Sequence, residues 1–416
     1  MRILHTSDWH LGKNLEQINR IDEQREFIDF LCNAVEEQKI DLVLIAGDLY
    51  DTYNPSAAAE ELFYDAVERL NDKGKRAVLV IAGNHDNPER LCAASPLAYK
   101  NGIILLGYPG SDAGEYKINN ETIQLTQSGP GWLELDIKSC GQSAVILTLP
   151  YPSEARLEEV LSHEADEGIL QKAYSEKIGS ILSTLSRHFR EDSVNLIIAH
   201  LFLKGGKESD SERTLQVGGA MTVDASVLPP NAHYTALGHL HRPQEIKNAP
   251  CPVFYSGSPL AYSFSEAEHS KAVYIIEATP GEKAEITPLY LSCGKPLRRW
   301  VAQEGYGQAL KWCEEGRDNN AWVDLEIVID QVLTIEEQKR LRSLHPGIIN
   351  IRPRLLAESL EVLSPQSREG RKIDELFKDY FKYRTGTDIS DELMSAFIEI
   401  LREDENGGDG NETEAS

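Results

Sequence analysis

A chain of 416 residues, 41% of them apolar, is long enough for two or three domains with cores of their own, yet none of its apolar runs approaches the ~20 residues that a membrane-crossing helix needs. Its 67 acidic residues against 42 basic ones, a net charge of -25, argue against a surface that coats nucleic acid by charge alone, although they do not exclude a nuclease. The six cysteines (Cys32, Cys92, Cys140, Cys251, Cys293, Cys313) include no CxxC pair, so free thiols are expected in place of a zinc ribbon or a disulfide framework.

Met1-Arg2 passes directly into a strand-like run, which leaves no room for a signal peptide and sets the expectation of a cytoplasmic protein. Residues 1–290 then read as alternating strands and helices. Gln24 to Val35 places Phe27, Ile28, Leu31 and Val35 on one helical stripe, and Ala57 to Leu70 does the same with Leu62, Phe63, Ala66, Val67 and Leu70. The order strand, helix, strand, helix, strand predicts right-handed crossovers and a sheet with helices outside it. Tyr116 to Leu125, broken at Asn119-Asn120, reads as a hairpin, followed by strands at Trp132 to Ile137 and Ala144 to Leu149 and mostly helix from Glu154 to Phe189. Strand-like runs recur at Asn195 to His200, Tyr234 to Gly238, Val253 to Ser256 and Ala272 to Ile276. Between His200 and the second of these, Lys204 to Gly219 is polar and Gly-rich. It reads either as a mobile loop or, because it follows His200, as one that faces substrate.

Composition shifts near Cys293. Residues 291–357 hold a helix at Tyr306 to Glu314, a strand at Trp322 to Ile329, a helix opening at Thr334 with Glu337 three residues on, and a strand at Ile348 to Ile351, enough for a small α/β domain. Lys339 to Arg354 carries five Lys or Arg and no acid, which is either a solvated basic face or a phosphate-contacting one. Residues 366–402 hold two amphipathic helices: Ile373, Leu376, Phe377, Tyr380 and Phe381 form one stripe, and Leu393, Met394, Phe397, Ile398 and Leu401 the other, with Ser390 as its cap. They pack on their own domain or offer an apolar face to a partner. Residues 403–416, with six acids and no base, read as a disordered tail.

The chemistry gathers at strand ends. Asp8 and His10 follow Ile3 to Thr6; Asp48 and Asp51 follow Leu42 to Ala46; Gly83-Asn84-His85-Asp86 follows Ala77 to Ala82. His200 closes Leu196 to Ala199, and His239 and His241 follow Tyr234 to Leu237. Open α/β sheets place ligands at the carboxyl ends of their strands, so five such runs ending in oxygen or imidazole donors point to one site. Asp, Asn and His donors suit Mn²⁺, Mg²⁺, Fe or Zn. Seven candidates (Asp8, His10, Asp48, Asn84, His200, His239, His241) exceed what one catalytic ion uses and match two ions about 3.5 to 4 Å apart, the spacing of phosphoryl hydrolases. Such a pair polarises a phosphoryl oxygen and brings a bound water toward hydroxide near neutral pH. Asp48, on the strand expected to be central, is the candidate bridge. His85 is then free to hydrogen-bond the phosphate or protonate the leaving oxygen, with Asp86 as its orienting partner. For Asp51 two roles stand open, ligand or cap of the next helix. His5, His163, His188, His233, His269 and His345 read as structural.

The blocks DxH, GDxxD, GNHD, the lone His200 and GHxH resemble the calcineurin-like metallophosphoesterase superfamily in kind, order and spacing. The resemblance implies a four-layer αββα core. It also implies one Mn²⁺ held by Asp8, His10, Asp48 and His241 and a second by Asp48, Asn84, His200 and His239, with Mg²⁺ as a substitute and His85 assisting catalysis. Four longer stretches (TSDWHLGK from Thr6, SDSERTLQVGG from Ser209, GHLHRPQ from Gly238 and YSGSPLAYSFSE from Tyr255) are similar to the bacterial nuclease subunits of that superfamily that work with an ATPase. That likeness implies double-strand exonuclease activity dependent on ATP and endonuclease activity on DNA hairpins. It further implies residues 291–357 as a capping domain that touches DNA, residues 366–402 as the helix pair that binds the coiled-coil base of the ATPase, and a homodimer. The rival readings are a stand-alone phosphoesterase for small molecules or proteins, and a non-catalytic adaptor, which the intact donor set disfavours.

Overall fold

The computed structural model describes residues 1–115, 118, 120–157, 167–212, 221–329 and 333–355, and single positions between 373 and 397. The chain divides into two compact units, Met1–Leu297 and Arg298–Ser416. The expected helices of residues 366–402, the acidic tail and the second half of the polar loop after His200 lie outside the described residues, apart from those single positions. Among the latter, the rings of Phe377 and Phe397 stack with centroids 3.6 Å apart. No described helix is long and apolar enough to cross a membrane.

In chain order the first unit is built from β1 (Arg2–Thr6), α1 (Ile21–Glu37), β2 (Leu42–Ala46), α2 (Ala57–Asn71), β3 (Ala77–Ile81), β4 (Ile103–Leu106), β5 (Ile123–Gly129), β6 (Trp132–Ile137), β7 (Gln142–Leu149), α3 (Glu167–Leu185), β8 (Val194–His200), β9 (Tyr234–Gly238), β10 (Val253–Tyr255), β11 (Ala272–Glu277) and β12 (Glu285–Tyr290). One sheet runs β12-β11-β1-β2-β3-β4, and the second runs from the short strand Gln244–Glu245 through β10-β9-β8-β7-β6-β5. The strands β1 to β4 are parallel, as are β7 to β10 in order of pairing.

Why two sheets lie face to face can be read from alternate residues of single strands. Leu42, Leu44 and Ala46 of β2 point into a cluster shared with Leu196, Ile198, Tyr234 and Ala236 of the other sheet. Val43 and Ile45, pointing the other way, pack on Phe27, Ile28 and Leu31 of α1 and Leu62, Phe63 and Ala66 of α2. On the far side Ile197, Ala199 and Leu237 meet Tyr174, Ile178 and Leu182 of α3. A strand covered on both faces has no polar position to alternate with, so β2, β3 and β8 are continuous apolar runs. The result is a helix, sheet, sheet, helix sandwich, the four layers expected. Both amphipathic stripes of α1 and α2 are buried as their spacing predicts, and Ser56, whose side chain accepts from the Ala59 amide, caps α2.

The hairpin expected at Tyr116 to Leu125 is displaced. Among the described residues its strand begins at Ile123 and pairs antiparallel with β6, with the turn at Pro130-Gly131, where Gly131 adopts φ +80°. The Asn120 side chain, whose residue type signals a turn at that point, instead accepts from the amides of Thr122 and Ile123 and shapes the entry to β5.

In the second unit β13 (Leu297–Ala302), β14 (Trp322–Ile329) and β15 (Ile348–Leu355) form a three-stranded sheet with α4 (Tyr306–Glu314) and α5 (Ile335–Leu344). Its core joins Trp300, Ala309, Val323, Leu325, Ile327 and Leu341. Thr334 and Glu337 close a reciprocal capping box at the start of α5. The basic run Lys339 to Arg354 is largely engaged within the unit. Arg340 pairs with Glu314, Arg352 with Asp324 and Arg354 with Glu326, while Arg342 donates to the carbonyls of Ile348 and Ile349.

His5, on β1, lies between the sheets, its Nδ1 2.9 Å from the hydroxyl of Tyr234 on β9. Burial lowers its pKa from 6.5 to about 3. The unfolded chain therefore binds a proton at this ring that the folded chain refuses, and the stability present above pH 6.5 falls as pH drops toward 3, by at most about 1.4 kcal/mol per pH unit. Urea unfolding of the wild type and His5→Gln at pH 7 and pH 5 in chelator should show the wild type losing about 2 kcal/mol more than the variant. Equal losses would assign the proton elsewhere.

Candidate metal centre

Each of the five donor-bearing strand ends lies at the carboxyl edge of β1, β2, β3, β8 or β9, and the face-to-face sheets bring those edges together. Two glycines permit the approach. A Cβ on Gly238 would collide with the Ala46 carbonyl, and one on Gly83 with the Asp48 side chain and amide. At these ends the backbone turns sharply: Asp8 (φ 53°), His10 (φ 46°), Asp48 (φ 52°) and His239 (φ 111°) all occupy the left-handed region that side chains disfavour. Four strained non-glycine residues in one cluster are a mark of a functional site, sustained by the contacts around them.

Those contacts are specific. The Asp8 amide donates to the Gly47 carbonyl at 2.9 Å and the His10 amide to the Asp48 carbonyl at 3.0 Å, locking the first two loops together. The Asp8 carboxylate accepts from the His239 amide at 2.9 Å and from the Ser7 hydroxyl. Asp48 Oδ1 accepts from the His85 amide at 2.9 Å. Its other oxygen lies 3.5 Å from His200 Nε2 and 3.7 Å from His10 Nε2. His200 Nδ1 donates to the Ala46 carbonyl at 2.8 Å, which fixes the tautomer and turns the Nε2 lone pair inward. Asn84 Oδ1 stands 2.9 Å from His200 Nε2 and 3.0 Å from His239 Nδ1, while His10 Nε2 and His241 Nε2 face each other at 2.9 Å.

All seven sequence candidates thus meet in one place. Three sets of three donor atoms lie within 4.8 Å of one another: Asp8, His10 and His241; Asp8, Asp48 and His200; and His10, Asp51 and His85. Burial keeps the imidazoles neutral: the pKa values of His10 and His241 fall well below 6.5, that of His239 to about 3, and that of His200 is also lowered. Burial, reinforced by the charge of Asp48, raises the pKa of Asp8 well above the carboxylate range. Burial opposes the charge of Asp48 too, yet His200 and His85 hold its pKa below the ordinary value. Electron pairs aimed at each other with few protons between them are costly unless cations stand among them, and buried neutral imidazole with carboxylate and amide oxygen is the donor chemistry of Mn²⁺ or Zn²⁺. The residues present fit two metal ions.

Two expectations need correction. Asp86 does not orient His85: its buried carboxylate accepts from the amides of Leu49 and Tyr50, the first at 3.0 Å, and from Gly83 at 2.8 Å, so it clamps the second and third loops to each other. The partner of His85 Nδ1 is the Asp51 carbonyl at 2.7 Å. Nor does Asp51 cap α2, a role taken by Ser56; its carboxylate pairs with Lys13 at 2.8 Å and comes within 3.8 Å of His10 Nδ1.

Sequence reasoning misses three contributors. Ser211 bonds His241 Nδ1, and Glu212 accepts from the His241 amide at 2.8 Å, so the start of the polar loop after His200 is a wall of the site. The loop's position after His200 is the one signal of this. Arg156 donates to the carbonyls of Gly83 and Asp86 at 2.9 and 2.8 Å, bracing the Gly-Asn-His-Asp loop, and no local pattern announces it.

Fold and site together define a phosphoesterase with a centre for two metals. Residues 1–243 match the family model of calcineurin-like phosphoesterase, and residues 293–385 match a model described as the type 5 capsule protein repressor C-terminal domain. The chain is 45% identical over 408 residues to SbcD, the nuclease component of SbcCD, from Bacillus subtilis, covering 96% of this chain and 97% of that one. It is 31% identical over 350 residues to the corresponding SbcD of Staphylococcus epidermidis, covering 84% of each. The chain belongs to the calcineurin-like phosphoesterases and, within them, to the SbcD family of SbcCD nucleases.

The Asp86 clamp has a measurable consequence. Asp86→Asn sets an amide nitrogen against backbone N–H groups and should cost about 3 kcal/mol in denaturant unfolding. A loss under about 0.5 kcal/mol, the level of an ordinary surface change, would show that the three contacts do not hold the loops.

Proposed function

We propose that this chain is the hydrolytic component of an SbcCD-type nuclease and cleaves DNA phosphodiester bonds at the centre formed by the five strand ends. The observation that carries the chemistry is the convergence of seven buried donors with neutral imidazoles; the choice of DNA over other phosphoesters rests on kinship with the two SbcD proteins. In this reading Asp8, His10, Asp48 and His241 hold one divalent cation and Asp48, Asn84, His200 and His239 the other, with Mn²⁺ the expected ion and Mg²⁺ a substitute. The position of Asp48 Oδ2 within 3.7 Å of both His10 and His200 supports its role as the shared ligand. When bound, two such ions neutralise an anionic phosphodiester and supply hydroxide from water near neutral pH.

The protein's own groups complete the reaction. Hydrolysis adds water across a P–O bond, and the departing oxygen must gain a proton. His85 stands beside the His10 ring, their centroids 4.7 Å apart, with Nδ1 committed to the Asp51 carbonyl. That bond leaves Nε2 as the nitrogen to contact the phosphate or deliver the proton. Arg156 and Asp86 hold the loop that carries His85.

The wider assignments follow the kinship. The partner is an SbcC-type ATPase bound through residues 366–402, residues 291–357 cap the site and touch DNA, and two copies of the chain assemble with the ATPase. The activities are ATP-dependent exonuclease on double-stranded DNA and endonuclease on hairpins, in repair, recombination and replication. Cytoplasmic residence suits the six free cysteines.

With Mn²⁺, the purified chain should hydrolyse both bis-p-nitrophenyl phosphate and a DNA hairpin, and Asp48→Ala should abolish both. Cleavage of the small ester alone, persisting after the ATPase is added, would overturn the DNA assignment. His85→Gln should lower the rate by about 10²- to 10⁴-fold, the usual worth of a general acid, at unchanged metal content; loss of metal in parallel would make the residue structural. Deleting residues 366–416 should end co-purification with the ATPase and spare hydrolysis of the small ester, and continued binding would refute the docking assignment.

A further inference from the structure

Behind the donors lies a buried polar network that no step of hydrolysis uses. Lys271, at the edge of β11, is only 7% exposed and Glu266 only 1%. The Lys271 ammonium spends its three donors on the His241 carbonyl at 2.9 Å, the Ser258 hydroxyl at 2.8 Å and the Glu266 carboxylate. The other oxygen of Glu266 accepts from the Tyr262 amide at 3.2 Å. The Tyr262 hydroxyl donates to the Trp9 carbonyl and accepts from Gln24, a fully buried amide. Gln24 donates from the same nitrogen to the His10 carbonyl at 2.9 Å, and its oxygen accepts from the Gly12 amide. The Tyr262 ring stands edge-on to both imidazoles, its centroid 5.8 Å from that of His10 and 6.4 Å from that of His241.

Buried Lys and Glu are rare, and a buried ion pair is often no more stabilising than apolar side chains of the same volume. Stability alone is therefore a poor account of this one, whereas its endpoints are informative. Both are main-chain carbonyls of candidate ligands, His10 and His241, whose Nε2 atoms face each other and which the proposed function assigns to the same ion. We infer that Lys271, Glu266, Tyr262 and Gln24 are positioning residues for that one metal position, fixing the separation and aim of His10 and His241 from behind, while the position built on Asn84, His200 and His239 is supported independently through the Ala46 carbonyl. Outer contacts of this kind commonly change metal affinity by about 10- to 100-fold. The inference rests on the two-metal reading of the site.

The test is calorimetric titration of the full-length, metal-stripped chain with Mn²⁺, beside thermal unfolding and steady-state kinetics on bis-p-nitrophenyl phosphate. Lys271→Met alone strands a buried carboxylate, so the informative variant is the double change Lys271→Met with Glu266→Gln, which removes both charges. The double variant should melt near the wild type yet bind one of two Mn²⁺ ions about tenfold more weakly, the other within twofold, with kcat reduced and KM for the ester unchanged. Tyr262→Phe keeps the ring, removes the shared hydroxyl and should weaken the same binding event several-fold; it decides the matter if the double variant does not fold. Two wild-type binding events that remain unchanged in the folded variants, or that weaken equally, would overturn the network's role and leave the two-metal reading standing. A wild-type chain that binds no Mn²⁺ would overturn that reading, and this inference with it.

Discussion

The site depends on one contact between the sheets, the 2.8 Å hydrogen bond from His200 Nδ1, at the end of β8, to the Ala46 carbonyl, at the end of β2. It holds the carboxyl edges of two sheets at bonding distance and, by consuming the Nδ1 proton, turns the other nitrogen of His200 into the site. Gly238 makes the same approach from β9, where any side chain would strike the Ala46 carbonyl. Two parallel arrays that carry their donors at the same ends can pool them only when the edges meet this closely. The apolar layer between the sheets supplies the attraction, and these contacts set the distance.

Convergence creates an electrostatic problem that the surrounding hydrogen bonds contain. Carboxylates, an amide oxygen and neutral imidazoles share a dry pocket in which each disfavours the others' charge. The protein manages this through its backbone. Main-chain amides point at the Asp8, Asp48 and Asp86 carboxylates, and main-chain carbonyls receive the spare protons of His85 and His200. The left-handed residues at Asp8, His10, Asp48 and His239 are the geometric counterpart, since aiming amides and side chains at a common point requires turns that unstrained strand ends do not make. What remains uncompensated is negative potential with lone pairs directed inward, and that is a description of a cation site.

An overall charge of -25 and a DNA substrate are compatible once the charges are located. The most basic run of the second unit spends its arginines on Glu314, Asp324, Glu326 and two carbonyls, so it stabilises that small sheet as much as it presents charge. Affinity for a polyanion then falls to the metals and to a partner protein, and assembly with an ATPase raises the effective concentration of weak contacts.

Period and punctuation in the chain determine a great deal. Strands buried on both faces must be continuous apolar runs, amphipathic helices must carry a stripe, and a loop that bears Asp, Asn or His directly after such a strand lies at its carboxyl end whatever the tertiary details. Asp8, His10, Asp48, Asn84, His200, His239 and His241 are legible for that reason, as are α1, α2 and the capping box at Thr334. The β5 hairpin is misplaced by sequence alone because an Asn pair and a Pro-Gly pair both signal turns, and only pairing with β6 chooses between them. Asp86 reads as the partner of its sequence neighbour His85, whereas its charge is satisfied by amides 36 and 37 residues away. Ser211, Glu212, Arg156 and the path from Lys271 to Gln24 act through contacts between segments far apart in the chain, and no local pattern encodes such a contact. Sequence determines which donors stand at the ends of which strands; only the packing of one sheet on the other decides which of them meet, because a hydrogen bond depends on distance in space and a motif records only distance along the chain.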